Sequence, residues 1–310
     1  MNIVVTSPSF SNNALLQKEI YRYFPKATLN IEGKRFSKEE LIEYIKNADG
    51  IIVGLENIDK EVLTACPKLK IISKYGVGLN NINIEECKKR NIELGWTGGV
   101  NKLSVAEMTL GYMLMLCRNL FRTSNQLKQG IWNKSGGTQL SNKTIGIIGV
   151  GHIGKEVIRL LKPFNCRILV NDIVEQHLFY QKNKLVNSTK EDIYKNCDII
   201  SIHTPFDKTT ENMINKNTFN IMKQNSFIIN SARGGIIHEN DLKIALTNNT
   251  IAGAAIDAYI EEPPTDNELI TLENLICTPH IGGNSQEAIV NMGLSAIKHL
   301  KNIFITNHNK

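Results

Sequence analysis

The sequence predicts an α/β protein with two doubly wound parallel-sheet domains. Strand-like and helix-like stretches alternate along the chain, a series of short apolar strands begins at residue 143, and a glycine-rich loop follows the first strand of that series. Repeated βα units of this kind favour parallel sheets covered by helices on both faces. We therefore expect one domain over residues 99–283 and a second, discontinuous domain over residues 1–98 and 284–310.

The discontinuous domain is predicted from strand-like stretches before residue 100, which alternate with helix-like ones. They are NIVVTS (2–7), GIIVG (50–54), LKIISKYG (69–76) and NIEL (91–94). The helical segment SQEAIVNMGLSAIKHLKNIF, which begins at residue 285, has no strand left to follow. It should pack back on the first domain, so that the chain crosses between the domains twice.

The continuous domain is predicted from six short apolar strands at intervals that suit intervening helices. They lie in KTIGIIG (143–149), RILVND (167–172), CDIISIH (197–203), SFIINSA (226–232), GAAID (253–257) and NLICTPH (274–280). Six such strands form a complete doubly wound sheet. Crevices between two domains of this type are favoured small-molecule sites.

A long helix is predicted over residues 104–120, SVAEMTLGYMLMLCRNL, with an almost continuous apolar surface. A helix that is apolar all round is buried, either between domains or between subunits. We interpret its residues Met108, Met113 and Met115 as core residues.

Composition excludes several classes of protein. The hydrophobic fraction is 42%, as in soluble globular proteins, and the formal charge of +6 comes mostly from thinly spread lysines, so nucleic-acid binding is not expected. No apolar run reaches membrane-span length, and the N-terminus lacks the pattern of a signal peptide. The six cysteines form no CxxC pair. This pattern predicts reduced thiols in a cytoplasmic protein and no metal site.

The clearest motif is GVGHIG, residues 149–154, which follows the strand-like TIGII and opens a helix. In this context Gly149 permits a tight turn, Gly151 lets the backbone approach a pyrophosphate, and Gly154 lets the helix lie close to the strand. The helix N-terminus then offers unpaired N–H groups to the phosphates. Asp172 follows the next strand, where an acid can bind an adenosine ribose and repel a 2′-phosphate, so NAD is predicted rather than NADP.

Three further residues have the chemistry that hydride transfer to a keto acid requires. Arg233 follows a strand and can bind a carboxylate in a two-point fork. His280 can protonate a carbonyl oxygen near neutral pH, and the carboxylate of Glu262 could stabilise the imidazolium form. Each residue taken alone is equally consistent with a structural ion pair or a surface turn.

The chain resembles the D-2-hydroxyacid dehydrogenase family, most closely its phosphoglycerate dehydrogenase and hydroxypyruvate or glyoxylate reductase branch. The motifs that carry the resemblance are YGVGLNNI (75–82), GVNKLSVAEMTLG (99–111), GIIGVGHIG (146–154), INSARGG (229–235), GAAIDAYIEEPP (253–264) and TPHIGGNSQEA (278–288). The resemblance implies a Rossmann NAD-binding domain, residues 99–283, inserted in a flavodoxin-like substrate domain. It also implies a homodimer that uses the long helix.

The same resemblance implies roles for individual residues. Arg233 would anchor the substrate carboxylate, Glu262 rather than Glu261 would form an acid/base relay with His280, and Asp257 would hold the nicotinamide carboxamide. The backbone at Val77 and Gly78 would bind the substrate carboxylate from the other domain. The residues expected at the cofactor are Gly149, Gly151, His152, Ile153, Gly154, Asp172, Thr204, Ser231, Ala232, Asp257, Gly282 and Gly283.

One departure from the family leaves the substrate open. Phosphoglycerate dehydrogenases often carry an arginine in the segment that here reads IIVGLEN, and this chain has Gly54 there. Lys74 could supply a replacement charge, or could be a surface lysine. The candidates are 3-phosphohydroxypyruvate, hydroxypyruvate, glyoxylate and other short 2-keto acids, with phosphite oxidation as a further possibility. The alternative from another class is a non-catalytic NAD-sensing protein of the same fold.

Overall fold

The structure is a computed structural model that describes residues 1–306. It divides into two compact units. The first unit contains residues 1–101 together with the segment that begins at residue 284, and the second unit contains residues 102–283. The structure places the first boundary between residues 101 and 102, whereas the sequence predicts it between residues 98 and 99.

The first unit is a five-stranded, all-parallel sheet with helices on both faces. Its strands are β1 (Ile3–Val5), β2 (Thr28–Leu29), β3 (Gly50–Val53), β4 (Ile71–Lys74) and β5 (Glu93–Gly95). Its helices are α1 (Pro8–Ser11), α2 (Ala14–Tyr23), α3 (Lys38–Ile45), α4 (Lys60–Ala65), α5 (Ile84–Lys89) and α14 (Gln286–Phe304). The strand order β2-β1-β3-β4-β5 is that of the flavodoxin-like fold.

Helix α14 completes the core of the first unit. Its residues Ala296, Ile297 and Leu300 are buried among side chains of β1 and α2. The fully buried Ser73 Oγ on β4 donates a hydrogen bond of 2.8 Å to the Ala296 carbonyl. The C-terminal segment therefore belongs structurally to a sheet that is built by the start of the chain.

The second unit is a seven-stranded, all-parallel sheet. Its strands are β6 (Thr144–Ile148), β7 (Arg167–Asn171), β8 (Val186–Asn187), β9 (Ile199–Ile202), β10 (Phe227–Asn230), β11 (Gly253–Ile256) and β12 (Leu275–Cys277). Its helices are α6 (Lys102–Cys117), α7 (Leu120–Lys128), α8 (His152–Leu161), α9 (His177–Lys182), α10 (Lys190–Asn196), α11 (Lys216–Ile221), α12 (Glu239–Thr247) and α13 (Asn267–Ile270). The order β12-β11-β10-β9-β6-β7-β8 is that of a Rossmann sheet.

The prediction of six strands in this unit was wrong by one edge strand. Strand β8 has only two residues, both exposed, and it shows no apolar run to detect. Strand β2 of the first unit was missed as well, because it too is only two residues long. Short polar edge strands are common because long apolar ones would pair with other chains.

Two apolar cores lie on the two faces of the second sheet. One is formed with helices α6, α8 and α9, and the other with helices α10, α11, α12 and α13. Within α6, Met113 is fully buried, whereas Met108 and Met115 are partly buried against the same core. Because the strands are parallel, the loops after β6, β9, β10, β11 and β12 all leave the sheet at one edge. That edge is where open α/β sheets bind ligands.

Candidate active site

His280 and Glu262 form a close pair at the C-terminal edge of the second sheet. His280 lies three residues beyond the end of β12, and its Nδ1 atom is 2.8 Å from both Oε1 and Oε2 of Glu262. The neighbouring Glu261 instead accepts a hydrogen bond of 3.1 Å from Thr265 Oγ1. Glu262 is held in turn by the Tyr259 backbone N–H, 3.2 Å from Oε1. The pairing fixes which ring nitrogen of His280 faces the carboxylate.

Arg233 lies in the turn that follows β10. The buried Asn230 side chain holds this turn, because its Nδ2 donates to the Arg233 carbonyl over 2.7 Å and its Oδ1 accepts from the Ala232 N–H over 3.0 Å. Arg233 Nη1 donates to the Ala232 carbonyl over 2.6 Å. Burial lowers the pKa of the Arg233 guanidinium, and the negative charge of Glu262 opposes that shift. Arginine stays protonated near neutral pH, so the turn presents a fixed cation.

Asp257, just beyond β11, is 1% exposed, and its carboxylate holds the turn that carries His280. Oδ1 accepts from Thr278 Oγ1 over 2.5 Å and from the Ile281 N–H over 2.9 Å, and Oδ2 accepts from the Gly282 N–H over 2.8 Å. Three of its four acceptor positions are thus used within the second unit. A contact of Asp257 with a nicotinamide carboxamide stays a prediction.

The glycine loop has the geometry that a dinucleotide requires. Gly149 has φ +96°, and a Cβ there would lie 2.6 Å from the His203 carbonyl, so only glycine fits. A Cβ at Gly154 would overlap the Gly149 carbonyl, so helix α8 lies directly on the loop. At Gly151, the N-cap of α8, an added Cβ would meet nothing within 4 Å. The predicted contacts His152 and Ile153 follow as the first residues of that helix.

The carboxylate of Asp172 braces the same loop. Its Oδ2 accepts from the Val150 N–H over 2.5 Å, and its Oδ1 accepts from the Val174 N–H over 2.8 Å. Asp172 also lines a cavity of about 350 Å³. Each oxygen keeps a second acceptor position, so a contact with an adenosine ribose is compatible with the bracing and stays a prediction.

Buried polar atoms beside the loop support a polar ligand there. Thr204 Oγ1 and His203 Nδ1 are buried and have no hydrogen-bond partner among residues 1–306. Burial lowers the pKa of His203 to about 4, so its ring is neutral at neutral pH. Buried polar groups are normally hydrogen-bonded, and an orphaned hydroxyl at a sheet edge suits a ligand rich in hydroxyls and phosphate oxygens. These residues therefore fit a bound dinucleotide.

The remaining predicted cofactor residues lie at the same edge of the sheet. Ser231 Oγ is 3.1 Å from Thr109 Oγ1 of helix α6, and the Gly282 carbonyl accepts a hydrogen bond of 2.6 Å from Ser104 Oγ. Gly283 is the last residue of the second unit. Within residues 1–306, no group of three or more His, Cys, Asp or Glu side chains could hold a metal ion.

The predicted substrate residues lie in the first unit, at the C-terminal end of β4. Lys74 is 6% exposed, and its ammonium group donates to the Gly54 carbonyl and, over 2.8 Å, to Asn81 Oδ1. The Val77 carbonyl accepts from Trp96 Nε1 over 3.0 Å, and Gly78 is partly exposed in the following turn. Lys74 is thus a buried lysine with fixed contacts, and the interpretation as a surface lysine was wrong.

Sequence reasoning missed several residues that shape this site. Asn230 holds the Arg233 turn, and Tyr112 and Thr278 contact each other next to Asp257. Asn230 ends an apolar strand, where a polar residue is a detectable signal. Tyr112 has no such signal, because it lies in the middle of an apolar helix.

The fold and the glycine loop define an α/β protein with a dinucleotide-binding unit. Residues 110–282 match the family described as D-isomer specific 2-hydroxyacid dehydrogenase, NAD binding domain. The chain belongs to this family, and its second unit is the family's NAD binding domain. The resemblance that the sequence motifs carried is therefore confirmed. No helix within residues 1–306 is long and apolar enough to cross a membrane.

The chain is similar in sequence to curated proteins with two different names. It is 36% identical over 272 residues to D-3-phosphoglycerate dehydrogenase of Methanocaldococcus jannaschii. This alignment covers 86% of this chain and 52% of that protein. It is 32% identical over 281 residues to hydroxypyruvate reductase of Thermotoga maritima, which covers 89% of this chain and 91% of that protein. The chain thus spans about half the length of the phosphoglycerate dehydrogenases that it matches.

Solved structures share the fold. The D-lactate dehydrogenase of Lactobacillus jensenii, solved with NAD⁺, superposes with a TM-score of 0.80 at 28% identity over 97% of each chain. An acyclic imino acid reductase in complex with NADPH and D-Arg has a TM-score of 0.88 at 23% identity, covering 99% of this chain and 98% of that one, which shows the fold alone.

Proposed function

We propose that the protein transfers a hydride between NAD(H) and C2 of a small D-2-hydroxy acid or 2-keto acid. The observation that carries this proposal is the Glu262–His280 pair, with Nδ1 at 2.8 Å from the carboxylate, at the same sheet edge as Arg233 and the glycine loop. Family membership and the named relatives support the reaction class.

In the proposed mechanism, a nicotinamide cofactor held by the glycine loop would supply the hydride for C2 of the keto acid. Arg233 binds the substrate carboxylate through its guanidinium fork. His280 gives the proton on Nε2 to the carbonyl oxygen as the C–H bond forms, and the negative charge of Glu262 stabilises the imidazolium before transfer. Oxidation of the hydroxy acid runs the same steps in reverse, with His280 taking the hydroxyl proton.

We propose a short, unphosphorylated 2-keto acid, such as hydroxypyruvate or glyoxylate, as the substrate. Gly54 follows β3, and its N–H donates to Glu56 Oε2 over 2.8 Å, so a carboxylate lies at the strand end where related phosphoglycerate dehydrogenases often carry an arginine. The Lys74 ammonium donates to Gly54 and Asn81 at the same edge. The carboxylate of Glu56 repels a phosphate dianion, and the ammonium of Lys74, which would attract one, is already engaged with two protein acceptors.

For the cofactor we propose NAD rather than NADP. The Asp172 carboxylate lies beyond β7, next to the glycine loop. Its charge would repel a 2′-phosphate, and Ile173 and Val174 follow instead of a basic residue.

We further propose a cytoplasmic homodimer. The chain around α6 and α7 exposes large apolar side chains, namely Leu103, Leu120, Leu127, Ile131 and Trp132. The Trp132 side chain is 78% exposed, and large exposed apolar side chains that come together in a patch would indicate a protein interface. All six cysteines are free, which suits a reducing compartment. Light scattering of the purified chain tests the dimer.

The first experiment measures NADH consumption at 340 nm with a panel of 2-keto acids that includes 3-phosphohydroxypyruvate, hydroxypyruvate and glyoxylate. We expect turnover of an unphosphorylated member and loss of most turnover in His280→Ala, with NADH binding kept. Turnover that survives in His280→Ala would contradict the mechanism. NADH binding without turnover of any member would instead favour the sensing alternative.

A further inference from the structure

A chain of three hydrogen-bonded side chains connects helix α6 to the turn that carries His280, residues 278–282. Two of the three, Tyr112 and Asp257, are buried, and Thr278 is partly buried. Tyr112 of α6 is 1% exposed, and its hydroxyl makes a short hydrogen bond with Thr278 Oγ1. Thr278 Oγ1 is in turn 2.5 Å from Asp257 Oδ1. The three side chains therefore form a continuous path from the helix to the carboxylate.

The chemistry of the three groups fixes the direction of these hydrogen bonds. An ionised carboxylate only accepts, so Thr278 must donate its single hydroxyl proton to Asp257. Tyr112 must then donate to Thr278, whose oxygen can still accept. The Tyr112 hydroxyl also lies 3.4 Å from Met108 Sδ, a weak acceptor. Each hydroxyl proton thus has one direction, and Thr278 is held in a single rotamer.

Asp257 also holds the backbone of the turn that carries His280. It holds Thr278 on one side of His280, and the N–H groups of Ile281 and Gly282, at 2.9 and 2.8 Å, on the other. Between these anchors His280 has φ +52°, a left-handed conformation that is uncommon for a residue with a side chain. The anchors determine where the imidazole points.

Glu262 is connected to the same turn through Tyr259. The Tyr259 hydroxyl donates to the Thr278 carbonyl over 3.0 Å, and the Tyr259 N–H donates to Glu262 Oε1 over 3.2 Å. The His280 N–H also donates to the Thr278 carbonyl, over 3.0 Å. The hydrogen bonds that position His280 and those that position Glu262 therefore both involve Thr278 or a residue bonded to it.

From this geometry we infer that Tyr112 and Thr278 are positioning residues that set His280 against Glu262. The inference rests on the proposed function, because it assigns the pair to acid/base chemistry. Neither residue touches the reacting atoms in this scheme. They act through Asp257 and the 278–282 turn.

The test is the imidazole N–H signal of His280 in the full-length protein labelled with ¹⁵N-histidine. A hydrogen bond to Glu262 shifts the Nδ1 proton downfield, and His280→Ala identifies the signal. We expect the signal to move upfield or broaden in Thr278→Val and Tyr112→Phe, and Thr278→Ser, which keeps the hydroxyl, to restore it. In the same variants kcat should fall by about 10- to 100-fold, since small displacements of a reacting group have large effects on rate. NADH affinity and KM should stay within about twofold of the original.

Tyr194→Phe is the matched control, because Tyr194 is a buried tyrosine of helix α10 in the same unit and lies outside this network. An unchanged His280 signal and unchanged kcat in Thr278→Val would overturn the inference. If Thr278→Val does not fold, Tyr112→Phe alone decides on the same two readouts. If the His280 signal changes in these variants but the protein turns over no substrate, the positioning role of Tyr112 and Thr278 is supported. The proposed function is then contradicted instead.

Discussion

The Nδ1 atom of His280 lies 2.8 Å from each carboxylate oxygen of Glu262, although 18 positions separate the two residues in sequence. The two side chains are 44% and 40% exposed. Ion pairs at such exposure contribute only about 0–1 kcal/mol to folding. Stability is thus a weak reason for the arrangement, and proton transfer is a better one.

Replacing the carboxylate by an amide tests this interpretation. Glu262→Gln keeps the size of the side chain and removes its charge, so the imidazolium of His280 loses its stabilising partner. We expect kcat for keto-acid reduction to fall by roughly 10- to 100-fold, within the range of acid/base effects, with NADH affinity unchanged. Steady-state kinetics at pH 7 measure this. Glu261→Gln, next in the chain, is the control and should lose less than twofold.

Arg233→Lys tests the carboxylate anchor. Lysine keeps the charge and loses the fork, so one of two charge-assisted hydrogen bonds to the substrate disappears. A bond of that kind is worth about 1.5–3 kcal/mol, which predicts a loss of roughly 10- to 100-fold in kcat/KM. Arg122→Lys, at the exposed contact with Glu273 (3.1 Å), should change nothing measurable. Equal losses of kcat/KM in the two variants would contradict the role of Arg233 in binding the substrate.

Glu56→Gln tests the proposed substrate class. Removing the carboxylate that accepts from the Gly54 N–H should reduce repulsion of a phosphate at the end of β3. We expect the ratio of kcat/KM for 3-phosphohydroxypyruvate over that for hydroxypyruvate to rise by about tenfold, since one charge interaction near a protein surface is worth a few kcal/mol at most. Glu85→Gln, an exposed acid of helix α5, is the control. A wild-type preference for the phosphorylated acid would refute the assignment of Glu56.

His203 should make the second unit sensitive to mild acid. Burial lowers its pKa to about 4, whereas an unfolded histidine titrates near 6.5. Between these values the unfolded state binds more protons, so stability is present above pH 6.5 and is lost as the pH falls towards 4. From pH 7 to pH 5 the loss from this residue is about 2 kcal/mol in the free energy of unfolding. Urea titrations of the original protein and of His203→Asn measure it. The variant should lose less stability over that interval, and an equal loss in both would contradict the assignment.

The central part of the fold was predictable because buried parallel strands such as β6 and β9 are apolar on both faces and therefore visible as runs. The glycine loop was predictable because Gly149 and Gly154 are dictated by backbone contacts that no other residue satisfies. The edge strand β8 was not, because two exposed residues carry no pattern.

Contacts between distant positions also escaped prediction. Tyr112 and Thr278 are 166 positions apart, and Tyr112 lies in a mostly apolar stretch of its helix, where it is read as one more core residue. The sequence predicts that Asp172 binds a ribose, and the structure shows that both of its carboxylate oxygens also accept hydrogen bonds from backbone N–H groups of nearby loops. A sequence motif identifies such residues without showing what keeps them in place.

Helix α14 has a consequence for how the chain is made. Strands β1–β5 leave the ribosome first, yet the helix that buries Leu16 and lies on β4 is translated only after the whole second unit. The second unit is continuous and can fold as soon as it has emerged, whereas the first must wait with part of its apolar surface uncovered. The first unit therefore cannot complete its core until α14 has been made, and an incompletely covered apolar surface is prone to aggregation in the meantime.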